Sequence, residues 1–337
     1  MNIKEKCSIL DRGLLDLIIS LLPELKLTEK ILLITIFESE EDLFVQSKKD
    51  IEKIINRQLK YFWDIREIHE KAGRIDTMCK MRAIKWVSWA EENYPPLLRE
   101  SYDPPPVIYY MGTLPDPEKS LLGMVGTRKP SSQAAEQAYK IAGNLGRKGV
   151  SVISGLALGI DAMSHRGNLI GGAPGYAVLG SGIDGIYPSV NRPLAKRILD
   201  SGGAIISEYS PGIPPSKWSF PARNRIIASL SRSVLIVEAP IKSGALITAS
   251  FALEQGKDIF VASCGTLDGN FDRGGTIKLA SDGAEIIHSA IDILEKWNVG
   301  SALQEKKEAV LSFNGNMEEN SKEKLISSMA DFLKIEL

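Results

Sequence analysis

A chain of 337 residues, 44% hydrophobic and 25% charged, has an ordinary globular composition and room for two domains, which excludes a fibrous or wholly disordered protein. Its formal net charge of −1 excludes a uniformly basic nucleic-acid binder, yet residues 121–242 hold 14 Lys/Arg against 6 Asp/Glu. Residues 1–120 hold 18 against 21 and residues 243–337 hold 9 against 15, so acidic flanks mask a middle whose positive field would draw a polyanion.

The N-terminus carries Glu5, Asp11, Arg12 and Asp16 where a signal peptide needs an apolar run, and no apolar run approaches the ~18 residues of a spanning helix. Residues 1 to about 75 read as helical. Ser39-Glu40-Glu41-Asp42 resembles a helix start, and Leu43, Ile51, Ile54, Ile55, Leu59, Phe62, Ile65 and Ile68 follow at helical spacing. The texture then changes. Ala83 to Val87 reads as a strand, Tyr94-Pro95-Pro96 as a turn, and Val107 to Tyr110 as a second strand behind an extended Pro104-Pro105-Pro106.

From Leu121 the pattern alternates strand, loop and helix. Apolar runs at Leu121–Val125, Val150–Ser154, Tyr176–Leu179, Ala204–Ser207, Val234–Val237 and Ile259–Ala262 are separated by helical stretches such as Ser131–Arg147. This predicts an α/β fold with a mostly parallel, doubly wound sheet, whose ligands bind beyond the carboxyl ends of the strands. Beyond Trp297 the chain turns polar and reads as a linker followed by a short helix over about Ser321–Leu333.

The most informative stretch is Phe220-Pro221-Ala222-Arg223-Asn224-Arg225, with Lys217 three residues ahead. Arginine forks grip phosphate in two-point fashion, and an aromatic ring gives an unpaired base a face to stack on. The alternative use of one arginine is an internal ion pair with Glu208 or Glu238. Gly126-Thr127-Arg128 and Ser154-Gly155 end successive strands, so small residues there would turn backbone amides toward an anion while Arg128 adds charge. Plain turn chemistry explains those glycines equally, though not the arginine. Ser243-Gly244 opens a further helix, and Ser243 suits its cap. Glu238 suits a general base, or a group that orients an arginine or a backbone amide. His165 lies one helical turn from Asp161, a pairing that reads as structural.

Gly180-Ser181-Gly182-Ile183-Asp184-Gly185 has the spacing of a dinucleotide fingerprint, but Tyr187-Pro188 follows where a helix should begin, so no nicotinamide cofactor is expected. Cys7, Cys79 and Cys264 form no CxxC pair and His69, His165 and His288 are scattered. No metal site and no disulfide framework are expected, and the compartment reads as reducing and cytoplasmic.

These motifs, in this order, resemble the bacterial DNA-processing protein A family (DprA, also called Smf). The match runs from Gly126-Thr127-Arg128 and Ser154-Gly155-Leu156-Ala157 through Gly182-Ile183-Asp184, Tyr187-Pro188 and Ser207-Glu208. It continues with Phe220 to Ala228, Val237-Glu238-Ala239, Ser243 to Ala249 and Gly283-Ala284, over roughly residues 85–295. The resemblance implies an extended Rossmann domain over 79–298, a helical (SAM-like) domain over 1–78 and a linker with a terminal helix over 299–337.

It further implies a non-enzymatic homodimer that binds single-stranded DNA and helps load the RecA recombinase during natural transformation. Arg128 takes the arginine position of the family's GSR motif, with Thr127 replacing serine. Lys217 and Phe220 stand at the positions of a phosphate-gripping lysine and a base-stacking aromatic. The expected DNA-binding residues are thus Gly126, Thr127, Arg128, Ser154, Gly155, Lys217, Phe220, Arg223, Asn224, Arg225, Ser243 and Gly244. Ser189 replaces a lysine of some members, Ser263-Cys264-Gly265 replaces their Pro-Gly, and Ile277 stands for an asparagine. The N-terminal region lacks the hairpin of a helix-hairpin-helix, and the tail is too short for a winged-helix domain. The rival reading is a Rossmann-like nucleotide hydrolase of the phosphoribohydrolase type, with Glu238 or Glu208 as acid/base.

Overall fold

Ser39, Ser47 and Asp64 each cap a separate helix ahead of the sheet. The computed structural model describes residues 12–61, 63–267 and 271–299. Among these, α1 (Leu15–Leu21), α2 (Leu27–Ile36), α3 (Glu40–Phe44), α4 (Lys48–Ile54) and α5 (Ile65–Met81) precede any strand. Ser39 caps α3 by accepting from the Asp42 amide at 3.1 Å, and Ser47 caps α4 through Asp50 in the same way. The helical spacing read from Leu43 to Ile68 is therefore shared by three helices. The second cap and a left-handed turn at Asn56 (φ 51°) interrupt it.

The sheet contains β1 (Lys85–Ser88), β2 (Val107–Gly112), β3 (Leu121–Val125), β4 (Ser151–Ser154), β5 (Tyr176–Val178), β6 (Ala204–Ser207), β7 (Ser233–Ile236), β8 (Asp258–Ala262) and β9 (Glu285–Ile287). The connecting helices are α6 (Pro96–Arg99), α7 (Ser132–Arg147), α8 (Ile160–Ile170), α9 (Arg192–Asp200), α10 (Ser219–Leu230), α11 (Gly244–Glu254) and α12 (Gly274–Ser281). Among the described residues the strands lie in the order β1-β2-β6-β5-β4-β3-β7-β8-β9. All neighbours are parallel except β1 with β2 and β2 with β6. This is the mostly parallel, doubly wound sheet that the strand–helix alternation predicts, with β1 and β2 as an antiparallel extension.

Period-two alternation sends successive side chains to opposite faces. Val107, Tyr109, Ala177, Leu179 and Ile205 pack with α8, α9 and the N-terminal helices, which contribute Leu15, Leu17, Ile18, Ile19 and Leu22 to the same core. Ile108, Tyr110, Val178, Ile206, Val234 and Ile236 pack with α10 and α11 on the other face. Contacts join everything up to His288 into one unit. A second unit begins at Ser289 and carries α13 (Ala290–Lys296), which Ser289 caps. The polar linker and terminal helix expected over 299–337 fall, beyond residue 299, outside the described residues.

The chain leaves β3 toward β4 on one side and returns with β7 on the other. The carboxyl ends of β3 and β7 are therefore the switch point, where the loops diverge and leave a crevice.

Candidate functional site

The crevice is a groove of about 550 Å³. Gly126, Thr127 and Arg128 come from the loop after β3, Ala157 from the turn into α8 and Asp161 from its first turn. Lys217 comes from just before α10 and Phe220, Arg223 and Asn224 from its start, while Pro240 and Ser243 come from the connection between β7 and α11 and Gly244 opens α11.

Arg128 and Lys217 are exposed, and neither forms an ion pair with any described residue. The Arg128 guanidinium lies over the Phe220 ring, 5.5 Å from its centroid. Tyr187 meets the same ring at 5.7 Å, tilted by 40°. Phe220 gains its seat from the absence of a side chain at Gly180, where a Cβ would stand 2.8 Å from the Phe220 Cδ1. Cation, ring and second ring form a continuous platform at the groove edge.

α11 starts at the opposite wall. Ser243 precedes it with extended backbone, makes no side-chain cap, and has a buried hydroxyl without a hydrogen-bond partner. The first amides of the helix thus stand beside an uncommitted hydroxyl, the arrangement that suits an anion.

Beneath the surface lies a charged layer. Arg223 is 5% exposed, and its Nη1 donates to the Val178 carbonyl. Its guanidinium occupies the space that a Cβ at Gly155 would fill, 2.2 Å from Nη1. Burial, with the like charge of Arg128, lowers the Arg223 pKa to about 10 despite the opposing carboxylate of Asp161, so it stays cationic at neutral pH. Asp161 accepts from the Gly155 and Ala157 amides at 3.1 and 3.3 Å. Burial raises its pKa, and Arg223 opposes that rise. His165 is fully buried with neither ring nitrogen hydrogen-bonded, and burial followed by the Arg223 charge pushes its pKa down to about 3. A neutral imidazole therefore packs under the site.

Nine of the twelve sequence-predicted residues line the groove, and Ser154, Gly155 and Arg225 do not. Ser154 is wholly buried and its hydroxyl donates to the Met124 carbonyl at 2.7 Å, bracing β4 against β3. Gly155 lies below, against Arg223. Arg225 pairs with Glu208 at 2.5 Å, because residues two apart on a helix point to different sides and Arg223 takes the groove side. This is the internal pairing that was the alternative for one arginine. Asn224 reaches the groove but spends its amide on the Gly244 carbonyl at 3.0 Å, tying α10 to α11.

The sequence reading did not assign Tyr187, which is 49% exposed beside Phe220, or Trp218, which is 85% exposed next to Lys217. Trp218 carried a readable signal, being an aromatic embedded in the basic stretch, but a lone tryptophan is normally a core residue and its exposure emerges only from the fold. Glu238 and Glu208 both lie outside the groove. Glu238 is 1% exposed, accepting from the Ser131 amide at 2.7 Å and from Arg273 Nε at 2.8 Å.

Fold and site together define an extended Rossmann-type protein with an electropositive, aromatic-edged groove at its switch point. Residues 85–298 match the family described as DNA recombination-mediator protein A. The chain belongs to that family. It is 44% identical over 208 residues to protein Smf of Synechocystis, a match covering 60% of this chain and 52% of that protein. It is 36% identical over 234 residues to DNA processing protein DprA of Bacillus subtilis, covering 69% of this chain and 78% of the relative. The matched segment thus spans about half the length of the Synechocystis relative. The structure of DNA processing protein A from Streptococcus pneumoniae superposes with a TM-score of 0.66 at 29% identity, over 86% of this chain and 98% of that one. That of the Helicobacter pylori protein, described for its single-stranded DNA binding mode, gives 0.56 at 27% identity over 64% and 96%. Among the described residues no helix is long and apolar enough to cross a membrane.

Proposed function

We infer that this chain binds single-stranded DNA in the switch-point groove and acts in DNA processing as a recombination mediator that helps RecA load onto the strand. The observation carrying this reading is the meeting of two cations without an ion-pair partner among the described residues, Arg128 and Lys217, with the half-buried ring of Phe220 at the groove edge. Cations track a phosphodiester backbone, and an aromatic face stacks on a base of any identity provided that the base is unpaired. Duplex DNA offers the same phosphates but hides its base faces, so it is the poorer ligand. The Helicobacter pylori relative, with its described single-stranded DNA binding mode, supports the same ligand class.

Phosphate sits between Arg128, Lys217 and the start of α11, with the Ser243 hydroxyl as an additional donor. Arg223 contributes potential from below and no direct contact. Glu238 and Glu208, the acid/base candidates of the hydrolase reading, are committed to Arg273 and Arg225, which favours a binding role without turnover. The homodimer and the cytoplasmic location implied by the family are part of the proposal, and sedimentation of the purified chain tests the dimer.

Fluorescence anisotropy with a labelled oligo-dT at several salt concentrations tests the binding. Wild type binds with an affinity that falls as salt rises. Arg128→Ala and Lys217→Ala each weaken binding and flatten the slope by roughly 0.7. Binding indifferent to both substitutions assigns the groove to another ligand. The RecA step is tested by whether the chain accelerates RecA filament assembly on single-stranded DNA.

A further inference from the structure

Arg128 carries the proposed contact, yet no described residue holds its side chain by hydrogen bond or ion pair. Its position depends on the loop from Gly126 to Ser131, and that loop is fastened at both ends by one residue. The Glu238 main-chain carbonyl accepts from the Thr127 amide at 2.7 Å. The Glu238 carboxylate accepts from the Ser131 amide at 2.7 Å through Oε2. Its other oxygen, Oε1, takes the Arg273 Nε at 2.8 Å.

Arg273 completes the fastening. It is 4% exposed, and its remaining nitrogens reach the Leu267 carbonyl at 2.8 Å and the Ser131 hydroxyl at 3.3 Å. A buried carboxylate that keeps one oxygen on a backbone amide needs a compensating cation on the other. The planar guanidinium supplies that charge while also touching both Ser131 and the chain after β8. Ser131 is in turn the cap of α7, accepting from the Ala134 amide at 3.2 Å.

We propose that the buried Glu238–Arg273 pair positions Arg128, acting as a clamp that holds the loop after β3 in the geometry in which Arg128 faces Phe220 and an incoming phosphate. Arg273 and Glu238 are positioning residues and touch no ligand. The inference rests on the single-stranded DNA reading of the groove. It adds that the segment between β8 and α12, whose described residues line none of the groove, sets affinity through Arg273.

A double-mutant cycle tests it, using labelled oligo-dT with wild type, Arg128→Ala, Arg273→Lys and the double variant, at a temperature below every melting midpoint. Lysine keeps the charge but lacks the fork that spans three acceptors. Arg273→Lys alone is expected to weaken binding roughly tenfold, within the range that coupled neighbours show. Added to Arg128→Ala it is expected to cost nothing further. Glu238→Gln, which keeps the main-chain carbonyl and one side-chain acceptor, serves as the second variant and should show the same non-additivity if Arg273→Lys does not fold.

Equal losses in the presence and absence of Arg128, or wild-type affinity in a folded Arg273→Lys or Glu238→Gln, overturns the clamp. Failure of wild type to bind, or an Arg128→Ala variant that binds normally, overturns the groove reading instead, so the two failures are distinguishable.

Discussion

At the scale of single residues, Phe220 and Arg128 occupy one platform but do different work. The ring offers area and the guanidinium offers charge. Phe220→Ala should therefore cost ~1–3 kcal/mol of oligo-dT binding while leaving the salt slope unchanged, as read by the same anisotropy titration. A flattened slope would show that the ring acts by holding Arg128. His165 makes a separable prediction, about stability. Its folded pKa of about 3 lies below the free value of 6.5, so folding favours the neutral ring. That contribution is fully present above pH 6.5 and is lost progressively as pH falls toward 3, amounting to about 2 kcal/mol by pH 5. Asp161 and Glu208 are shifted upward and act in the opposite sense, so the test compares wild type with His165→Leu. Between pH 7.5 and pH 5 in urea, wild type should lose more stability than the variant. Parallel losses would remove His165 from the account.

At the scale of elements, the groove is built by the start of α10 while its other end is secured elsewhere. Lys257 donates to the Ala228 carbonyl at 2.7 Å, to the Ser231 carbonyl at 2.5 Å and to the Ser229 carbonyl, closing the last turn of the helix. Burial lowers its pKa to about 8, which leaves the ammonium the major form at neutral pH. Lys257→Met strips buried acceptors of their donor and should cost about 1–3 kcal/mol in thermal or urea unfolding. Oligo-dT binding well below the melting midpoint should stay unchanged, since the groove lies at the opposite end of α10. Weakened binding there would mean that fraying reaches Phe220.

Elements also mark how much could be read from the sequence. The strand–helix alternation was legible because each buried parallel strand is a continuous apolar run, and the loops after β3, β4 and β7 were legible from their glycines. β9 was not, because Glu285-Ile286-Ile287 is short and partly exposed. Strand order was not legible either, since nothing local in β3 or β7 says that they are neighbours. The switch point and the separation of Arg223 from Arg225 both follow from that order and from the helical phase of α10.

At the scale of the whole molecule, charge and core make opposite statements about independence. The basic excess belongs to residues 121–242 alone, and the groove needs nothing from the N-terminal helices for its ligand groups. The core is not divided that way. Leu15, Leu17, Ile18, Ile19 and Leu22 share a cluster with Val107, Tyr109, Leu179 and Ile205 of the sheet. Polar links cross the same boundary, as Ser88 donates to Asp16 and the Trp86 indole to Asp76 at 3.0 Å, while Arg82, just past α5, pairs with Asp184. Asp184 in turn accepts from the Gly212 amide at 2.8 Å, on the segment leading to Lys217. Two regions that share buried apolar area should unfold together, because separating them exposes that area on both sides. Calorimetry of the intact chain should then show the helices and the sheet melting in one transition. Removing residues 1–78 should lower the midpoint and promote aggregation through the uncovered face around Tyr109 and Ile205. Two resolved transitions for helices and sheet, or a truncated chain as stable as the whole, would instead make the helices an autonomous domain resting on a sheet that folds without them.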